Sequence, residues 1–330
     1  MKALVTGANG FTGSHLVKAL LNRQIEVVAG VRSPQRAERL AGLPVTLAPG
    51  DICDRPALEA AMTGVDWVFH TAADVDLGIV DAKRMARVNI EGTRTVLSAA
   101  HTAGIQKLVY CSTIGIYGDT QGRTIDETFA REQSDFSSAY DETKYKAQQL
   151  VDQAAAEGLP VVSVMPSGIF GPDDPHFGPV IRLFLQGKLP FWLGGDRVTG
   201  IVHVDDLVAA MILAAEQSPP GEHYILSTAD LPTREMFAIL GLRADRQPPR
   251  EIPKWLAYGV TAILDPIGQL SGWNPPLSYE RLHYIYDRCV RVTGEKARRE
   301  LGWQPRDLET LFAQLVEHHL GEQNASQTSP

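Results

Sequence analysis

The chain opens with a short apolar run, Lys2–Val5, that stops in Thr6-Gly7-Ala8-Asn9-Gly10-Phe11-Thr12-Gly13 and passes into a helical pattern over Ser14–Asn22. Three glycines at a spacing of three, between a strand and a helix, constrain the fold more than any other feature. Gly7 lets the chain turn sharply. Gly10 removes a side chain where backbone must approach a pyrophosphate, and Gly13 lets the helix pack tightly on the strand. The helix N-terminus then offers free N–H groups and the positive end of its dipole to phosphate oxygens. A glycine triplet also serves as a plain tight turn. Here the strand before it, the helix after it and its place at the chain start agree on a dinucleotide, with Gly7, Asn9, Gly10, Phe11, Thr12 and Gly13 as contacts.

The alternation continues. Ile25–Val31 is a Val-rich run that reads as a buried strand, Pro34–Ala41 as a short charged helix, and Val45–Ala48 as a third strand closed by Pro49-Gly50-Asp51. Arg55–Met62 has helical spacing, Trp67–His70 is a fourth strand, and a long helical pattern over Ala82–Ala103 stops at Gly104, a usual helix terminator. Lys107–Ser112 is a fifth strand, a polar turn-rich stretch covers Gly118–Ser138, Tyr140–Glu157 is a helix, and Val161–Val164 a sixth strand. Strands alternating with helices build right-handed βαβ units. The predicted fold class is therefore α/β: a Rossmann-type doubly wound parallel sheet with a smaller, mostly helical substrate domain.

After Pro166 the order loosens. Ile201–Val204 with Asp205–Glu216 is one further strand–helix pair, His223–Leu226 another strand, and from Asp230 helices and loops dominate. The expected division assigns residues 1–165 and 199–228 to dinucleotide binding and 166–198 with 229–321 to the substrate. The polar tail over 322–330 is expected to be disordered. No internal repeat is evident.

The balance of 31 basic against 39 acidic residues, a formal charge of −8, argues against a general binder of nucleic acid or anionic membrane. A bound phosphate should meet a local site. Cys53, Cys111 and Cys289 form neither a CxxC pair nor a metal-ligand spacing, which fits reduced thiols in a cytoplasmic protein and no metal. The N-terminus lacks the pattern of a signal peptide, and no apolar run is long enough to span a bilayer.

Past the second strand, a site for NAD often carries an acid that accepts from the ribose 2′-hydroxyl. This chain has Arg32 there, with Arg36 one turn later. A carboxylate would repel a 2′-phosphate and a guanidinium would grip it, so the expectation is NADP(H) ahead of NAD(H). Asp51-Ile52, ending the third strand, is placed for the adenine, the carboxylate on its amino group and Ile52 against the ring; a helix cap before Arg55 is the plainer role for Asp51.

Tyr140 and Lys144 stand at i and i+4, one helical turn apart on one face. A nearby ammonium lowers a phenol's pKa, and such a tyrosine can exchange a proton with a carbonyl or alcohol oxygen while hydride moves to or from a nicotinamide. The spacing alone is common. It gains weight because the fifth strand ends in Ser112-Thr113, whose hydroxyls could hold the same oxygen.

With these residues the chain resembles an extended short-chain dehydrogenase/reductase, of the dihydroflavonol reductase-like and epimerase/dehydratase branch. The likeness runs through Gly7-x-x-Gly10-x-x-Gly13, Asp51-Ile52, His70-Thr71-Ala72-Ala73, Asn89, Ser112-Thr113, Tyr140-x-x-x-Lys144, Pro166 to Pro172, His203-Val204-Asp205-Asp206, and Lys296-Ala297 to Gly302-Trp303. The resemblance implies that Tyr140 is the acid/base, that Lys144 binds the nicotinamide ribose and tunes Tyr140, and that Thr113 is the third catalytic residue with Ser112 its neighbour. It further implies that Thr71, Ala72, Ala73, Pro166 and Ile169 line the cofactor channel, that Asn89 holds backbone, and that a homodimer is the default assembly.

Three departures bear on the reaction. Ile114-Gly115 follow Ser112-Thr113 where sugar dehydratases carry Asp-Glu. Thr199-Gly200-Ile201 stand where nucleotide-sugar enzymes carry a diphosphate-binding Arg, and His283 stands at a second such position, with Arg281 and Arg288 close by. The expected activity is NADPH-dependent reduction of a small apolar or aromatic aldehyde or ketone. A sugar epimerase with bound NAD(P) and a non-catalytic NADP(H) sensor are the alternatives. The apolar segment Pro253–Trp273 resembles one that walls an apolar pocket in related reductases; packing on the domain core is the plainer reading. His70 and His203 read as structural, Asp173, Asp174 and His176 as a loop, and Asp205-Asp206 as the cap of the following helix.

Overall fold

The computed structural model describes the backbone of residues 1–328 and the side chains of residues 1–321. The first apolar run is strand β1 (Lys2–Thr6), and the glycine turn leads into helix α1 (Phe11–Asn22). Strands β2 (Glu26–Val31), β3 (Thr46–Pro49), β4 (Trp67–His70) and β5 (Lys107–Cys111) follow, with helix α2 (Arg55–Ala61) between β3 and β4. Pro34–Ala41 is not the expected helix but two single 3-10 turns, Pro34–Arg36 and Glu38–Leu40, because Ala37 sits at φ −92, ψ 46 and breaks the ladder.

The long pattern over 82–103 is likewise subdivided. Helix α3 (Ala82–Ala86) passes through one π-turn, Arg87–Glu91, into α4 (Gly92–Ala103), and Gly104 ends it at φ +63. The π-turn carries Asn89, which is buried: Nδ2 donates to the Asp74 carbonyl (2.9 Å) and to Thr143 (3.0 Å), while Oδ1 accepts from Asp74 N (2.8 Å). Asn89 therefore holds backbone, as expected.

Strand β6 (Thr124–Ile125) lies in the polar stretch, and helix α5 (Ala139–Ala156) starts at a Ser138 cap whose hydroxyl accepts from Asp141 N. Strand β7 (Val161–Pro166) is buried along its whole length. Next come β8 (Gly168–Phe170), helix α6 (Gly178–Leu185), β9 (Phe191–Trp192), β10 (Val198–His203), α7 (Val204–Gln217) and β11 (His223–Leu226). Seven strands form one parallel sheet in the order β11-β7-β5-β4-β1-β2-β3. Its faces are covered by two apolar cores, one under α1 and α7 with Leu16, Leu20, Val208 and Met211, the other under α4 and α5 with Val96, Ala100, Ala147 and Val151.

The strand around 201–204 does not join that sheet. β10 pairs in parallel with β8 and antiparallel with β12 (Ala229–Pro232). Glycines permit the close approach: a Cβ on Gly168 would come 3.0 Å from the Gly200 carbonyl, and one on Gly200 would come 2.7 Å from Ser167 Cβ. The remaining elements are α8 (Thr233–Ala244), β13 (Arg250–Glu251), α9 (Lys254–Ser271), α10 (Tyr279–Tyr286), β14 (Arg291–Val292), α11 (Glu295–Leu301) and α12 (Leu308–Thr328). A third core joins α6, α8 and α12 through Phe184, Phe237, Leu240, Phe312 and Leu315. The tail expected to be disordered from Glu322 is helical as far as Thr328, because α12 continues through it; residues 329–330 lie outside the described residues.

Candidate active site

In a doubly wound sheet a ligand sits beyond the strand carboxyl ends where the winding reverses. Here that point lies between β1 and β4. Gly7 follows β1 at φ +69, and a Cβ there would come 2.8 Å from Ala72 Cα. Thr71 closes the crevice by donating to the Thr6 carbonyl at 2.7 Å. A Cβ on Gly13 would come 2.2 Å from the Gly7 carbonyl, and one on Gly10 3.1 Å from the same oxygen. Helix α1 starts at Gly10 with no side-chain cap and no acid in its first turn, so its leading amides face the crevice as an anion site. Phe11 and Thr12 lie in that first turn. The cradle fits a dinucleotide pyrophosphate.

The Asn9 side chain also has a structural role. Its Nδ2 donates to the Arg36 carbonyl (2.7 Å) and its Oδ1 accepts from Arg39 N (3.1 Å), so it ties the glycine turn to the loop beyond β2. Arg32 and Arg36, on that loop, are exposed and neither is ion-paired among the described residues. Arg39, which the motif reading passed over, reaches across to the Asp173 carbonyl at 2.9 Å. Asp51 accepts from Cys53 N (2.8 Å), while the cap before Arg55 is Asp54, accepting from Ala57 N. Ile52 packs on Gly92, where a Cβ would come 2.5 Å from its Cδ1. Ala73 follows the end of β4, Pro166 ends β7, and Ile169 is the middle residue of β8.

The second half of the site gathers at the end of β5 and the start of α5. Thr113 lies close enough to Tyr140 to favour its ionised form, and it accepts from Gly115 N at 3.1 Å. Ser112 is buried, and its hydroxyl has no partner. Of the two hydroxyls, it is Thr113 that acts on Tyr140. Lys144 is buried and donates to the Tyr110 hydroxyl (2.7 Å) and the Cys111 carbonyl (2.8 Å). Burial pulls its ammonium down to about 8, against a smaller opposing effect of Cys111. The expectation that Lys144 depresses Tyr140 is not met. Burial, then Tyr284, Cys111 and Asp141, hold the Tyr140 phenol well above its usual value, and only Thr113 works the other way.

Tyr110 carries no motif that would single it out in the sequence. It is fully buried on β5 and accepts from Lys144 (2.7 Å), and its ring lies 5.6 Å from that of His70, which in turn is bonded to Thr6 Oγ1 (2.8 Å) and to Thr93 (3.1 Å). His70 is structural, as expected; burial, with Lys144 adding, pulls its imidazole down to about 3, so it is neutral at ordinary pH. His203 is also structural, but it and not Asp205-Asp206 caps α7, its Nδ1 accepting from Asp205 N. Asp205 pairs with His15 (2.8 Å) and Asp206 with Arg306 (3.0 Å). Asp174 orders its loop by accepting from His176 N and Phe177 N.

Two further differences concern the C-terminal half. The apolar residues of α9 mostly turn outward: Trp255 is 75 % and Leu270 91 % exposed, because α9 packs inward through Ala257, Thr261 and Gly268 instead. The apolar-wall role expected for this helix is not seen in those residues. Conversely, Arg197, Tyr284 and Arg288 come together near Tyr140. Arg288 is buried and bonds Asp141, the residue after Tyr140, at 3.0 Å. Arg197 lies just ahead of β10, two residues before Thr199, the position at which an arginine would be expected in a nucleotide-sugar enzyme.

Residues 3–227 match the NAD dependent epimerase/dehydratase family. A 4-hydroxy-2-methyl-3-oxo-4-farnesyl-3,4-dihydroquinoline-1-oxide ketoreductase of Stigmatella aurantiaca is 34 % identical over 316 residues, covering 93 % of this chain and 92 % of its own. A 2-alkyl-3-oxoalkanoate reductase of Stenotrophomonas maltophilia is 31 % identical over 325 residues, covering 93 % of this chain and 95 % of its own. The solved UDP-glucose 4-epimerase of Thermus thermophilus in complex with NAD superposes with a TM-score of 0.77 over 97 % of this chain and 99 % of its own; at 24 % identity this likeness speaks for the fold alone. No helix among the described residues is long and apolar enough to cross a membrane. The chain belongs to the NAD dependent epimerase/dehydratase family, whose members bind a nicotinamide dinucleotide and whose reductase-named relatives mark it as an oxidoreductase.

Proposed function

We propose that this protein is an NADPH-dependent reductase of an aldehyde or ketone with an apolar or aromatic body. The observation that carries the reading is the placement of Thr113 just after β5 together with Tyr140 and the buried Lys144 one turn apart at the start of α5. Reductase names among relatives covering nearly the whole chain support it. When bound, the cofactor supplies the hydride. Gly7, Gly10, Phe11, Thr12 and Gly13 would hold its pyrophosphate, Asp51 and Ile52 its adenine, and Arg32 with Arg36 its 2′-phosphate. Thr71, Ala72, Ala73, Pro166 and Ile169 would flank its nicotinamide half.

Tyr140 delivers the proton to the carbonyl oxygen. Its elevated pKa keeps it protonated at neutral pH, which suits a general acid. Thr113 orients the same oxygen. Lys144, fixed by Tyr110 and the Cys111 carbonyl, presents its cation to the ribose. The test is NADPH consumption against a panel of aldehydes, ketones and nucleotide sugars. Tyr140→Phe should lower kcat by roughly 100- to 10,000-fold while NADPH binding, read by fluorescence, survives. Persistent turnover in that variant overturns the mechanism. Retained cofactor with interconversion of sugars and no net consumption would favour an epimerase. A preference for NADH unaffected by Arg32→Ala would remove the 2′-phosphate assignment.

A further inference from the structure

Behind Tyr140, three guanidiniums lie within electrostatic reach of one carboxylate. Arg131, Arg197 and Arg288 all feel Asp141. Two of them are settled. Arg131 donates to the carbonyls of Gln133 (3.0 Å), Ile116 (3.3 Å) and Asp135, and lies 4.2 Å over the Phe136 ring. Arg288 has Asp141 at 3.0 Å, although its Nε is buried without a partner.

Arg197 is different. Among the described residues no acid stands in salt-bridge contact with it: its neighbour Asp196 pairs with Arg234 at 2.8 Å. Its own Nε is buried and unpartnered. Its guanidinium lies 4.8 Å from the centre of the Tyr284 ring, against which Arg288 also lies at 4.3 Å. Both Tyr284 and Arg288 are close enough to Tyr140 to shift or be shifted by it. The cluster thus carries a surplus of positive charge, two unsatisfied N–H groups and one hydroxyl, next to the residue that protonates the substrate. A half-buried cation without a counter-ion is unfavourable, and a planar carboxylate matches the guanidinium fork.

We propose that Arg197, Arg288 and Tyr284 form a subsite for a carboxylate on the substrate, so that the compound reduced is an oxo acid whose carbonyl lies a few bonds from its carboxyl group. This rests on the reductase reading of Tyr140. The apolar body of the substrate then extends away from the cluster, and the fixed anion sets which carbonyl carbon meets the acid.

The experiment uses the full chain with 4-oxodecanoate, its methyl ester and UDP as probes. Binding is measured by calorimetry without cofactor, and turnover separately by NADPH consumption. The expected result is that the acid binds at least about 10-fold tighter than the ester, as a charged hydrogen bond predicts. Arg197→Met should erase that preference, and Arg197→Lys should restore part of it. Equal binding of acid and ester by the wild-type chain overturns the subsite, as does an undiminished preference in Arg197→Met. Tighter binding of UDP than of the acid, lost in Arg197→Met, assigns the cluster to a diphosphate and overturns the carboxylate. Preferential acid binding without NADPH consumption leaves the subsite standing and overturns the reductase reading. If Arg197→Met fails to fold by its melting curve, the wild-type comparison of acid with ester decides.

Discussion

At the glycine turn, the contacts that shape the site are main-chain atoms within a few residues of one another: the Gly7 carbonyl meets both Gly10 and Gly13, and Ala72 is the one distant neighbour. Around Tyr284 the contacts are charged side chains from separate parts of the chain, with Arg197 ahead of β10, Asp141 on α5 and Arg288 after α10. The first region needs the absence of side chains. The second needs particular side chains to find each other across 147 residues, the separation of Asp141 and Arg288. A crevice made by backbone can accept any dinucleotide of the right shape. A cluster of buried charge selects by what neutralises it.

The largest expected effect lies in the second region. Asp141→Ala leaves Arg288 buried without its carboxylate, which should cost about 3–5 kcal/mol of stability, read by chemical denaturation. Gly13→Ala tests the first region. Its Cβ would lie 2.2 Å from a main-chain oxygen that cannot rotate away, so roughly 1–3 kcal/mol of overpacking strain and loss of dinucleotide binding are expected, read by thermal melts and cofactor fluorescence. If Gly13→Ala proves more damaging than Asp141→Ala, the contrast between shape and charge is drawn the wrong way round.

A smaller effect concerns the buried groups between the glycine turn and α5, His70 and Lys144. The His70 imidazole is pulled from 6.5 in water to about 3 by burial and then by Lys144. The unfolded chain therefore binds more protons than the folded one between those values. The corresponding stability is fully present above pH 6.5 and is lost as pH falls toward 3. A His70→Asn variant should show a shallower loss of melting temperature across that window. Lys144, lowered to about 8, behaves in the same sense at higher pH: stability rises from about 8 up to the ordinary lysine value of 10.5, and Lys144→Met should flatten that rise. The smallest change is Asn9→Ala, which removes the tie to Arg36 and Arg39 and should cost about 1 kcal/mol while loosening the loop that carries Arg32.

The parallel sheet was legible because all its strands but the edge strand β3 are largely buried on both faces and read as continuous apolar runs, and because Gly or Pro marks many of their ends. Trp67–His70 and His223–Leu226 match the predicted limits to the residue. The strand at 201–204 was visible as a strand, but its sheet was not: membership depends on which neighbour offers unpaired backbone, and that was β8, a three-residue strand too short to show periodicity. Helix α9 misled for a related reason. Its apolar residues predicted a buried wall, yet small residues supply the packed face and the large ones turn outward.

Local chemistry was settled by the sequence alone wherever neighbours in the chain are also neighbours in space. That holds for the glycine turn, which works through backbone within one strand–helix junction, and for the one-turn spacing of Tyr140 and Lys144. Tertiary structure decided the rest, because hydrogen bonds and ion pairs form between whatever side chains folding brings within reach. It gave Lys144 to Tyr110, set Arg197 and Arg288 against Tyr284, and brought the Asp141 carboxylate to Arg288.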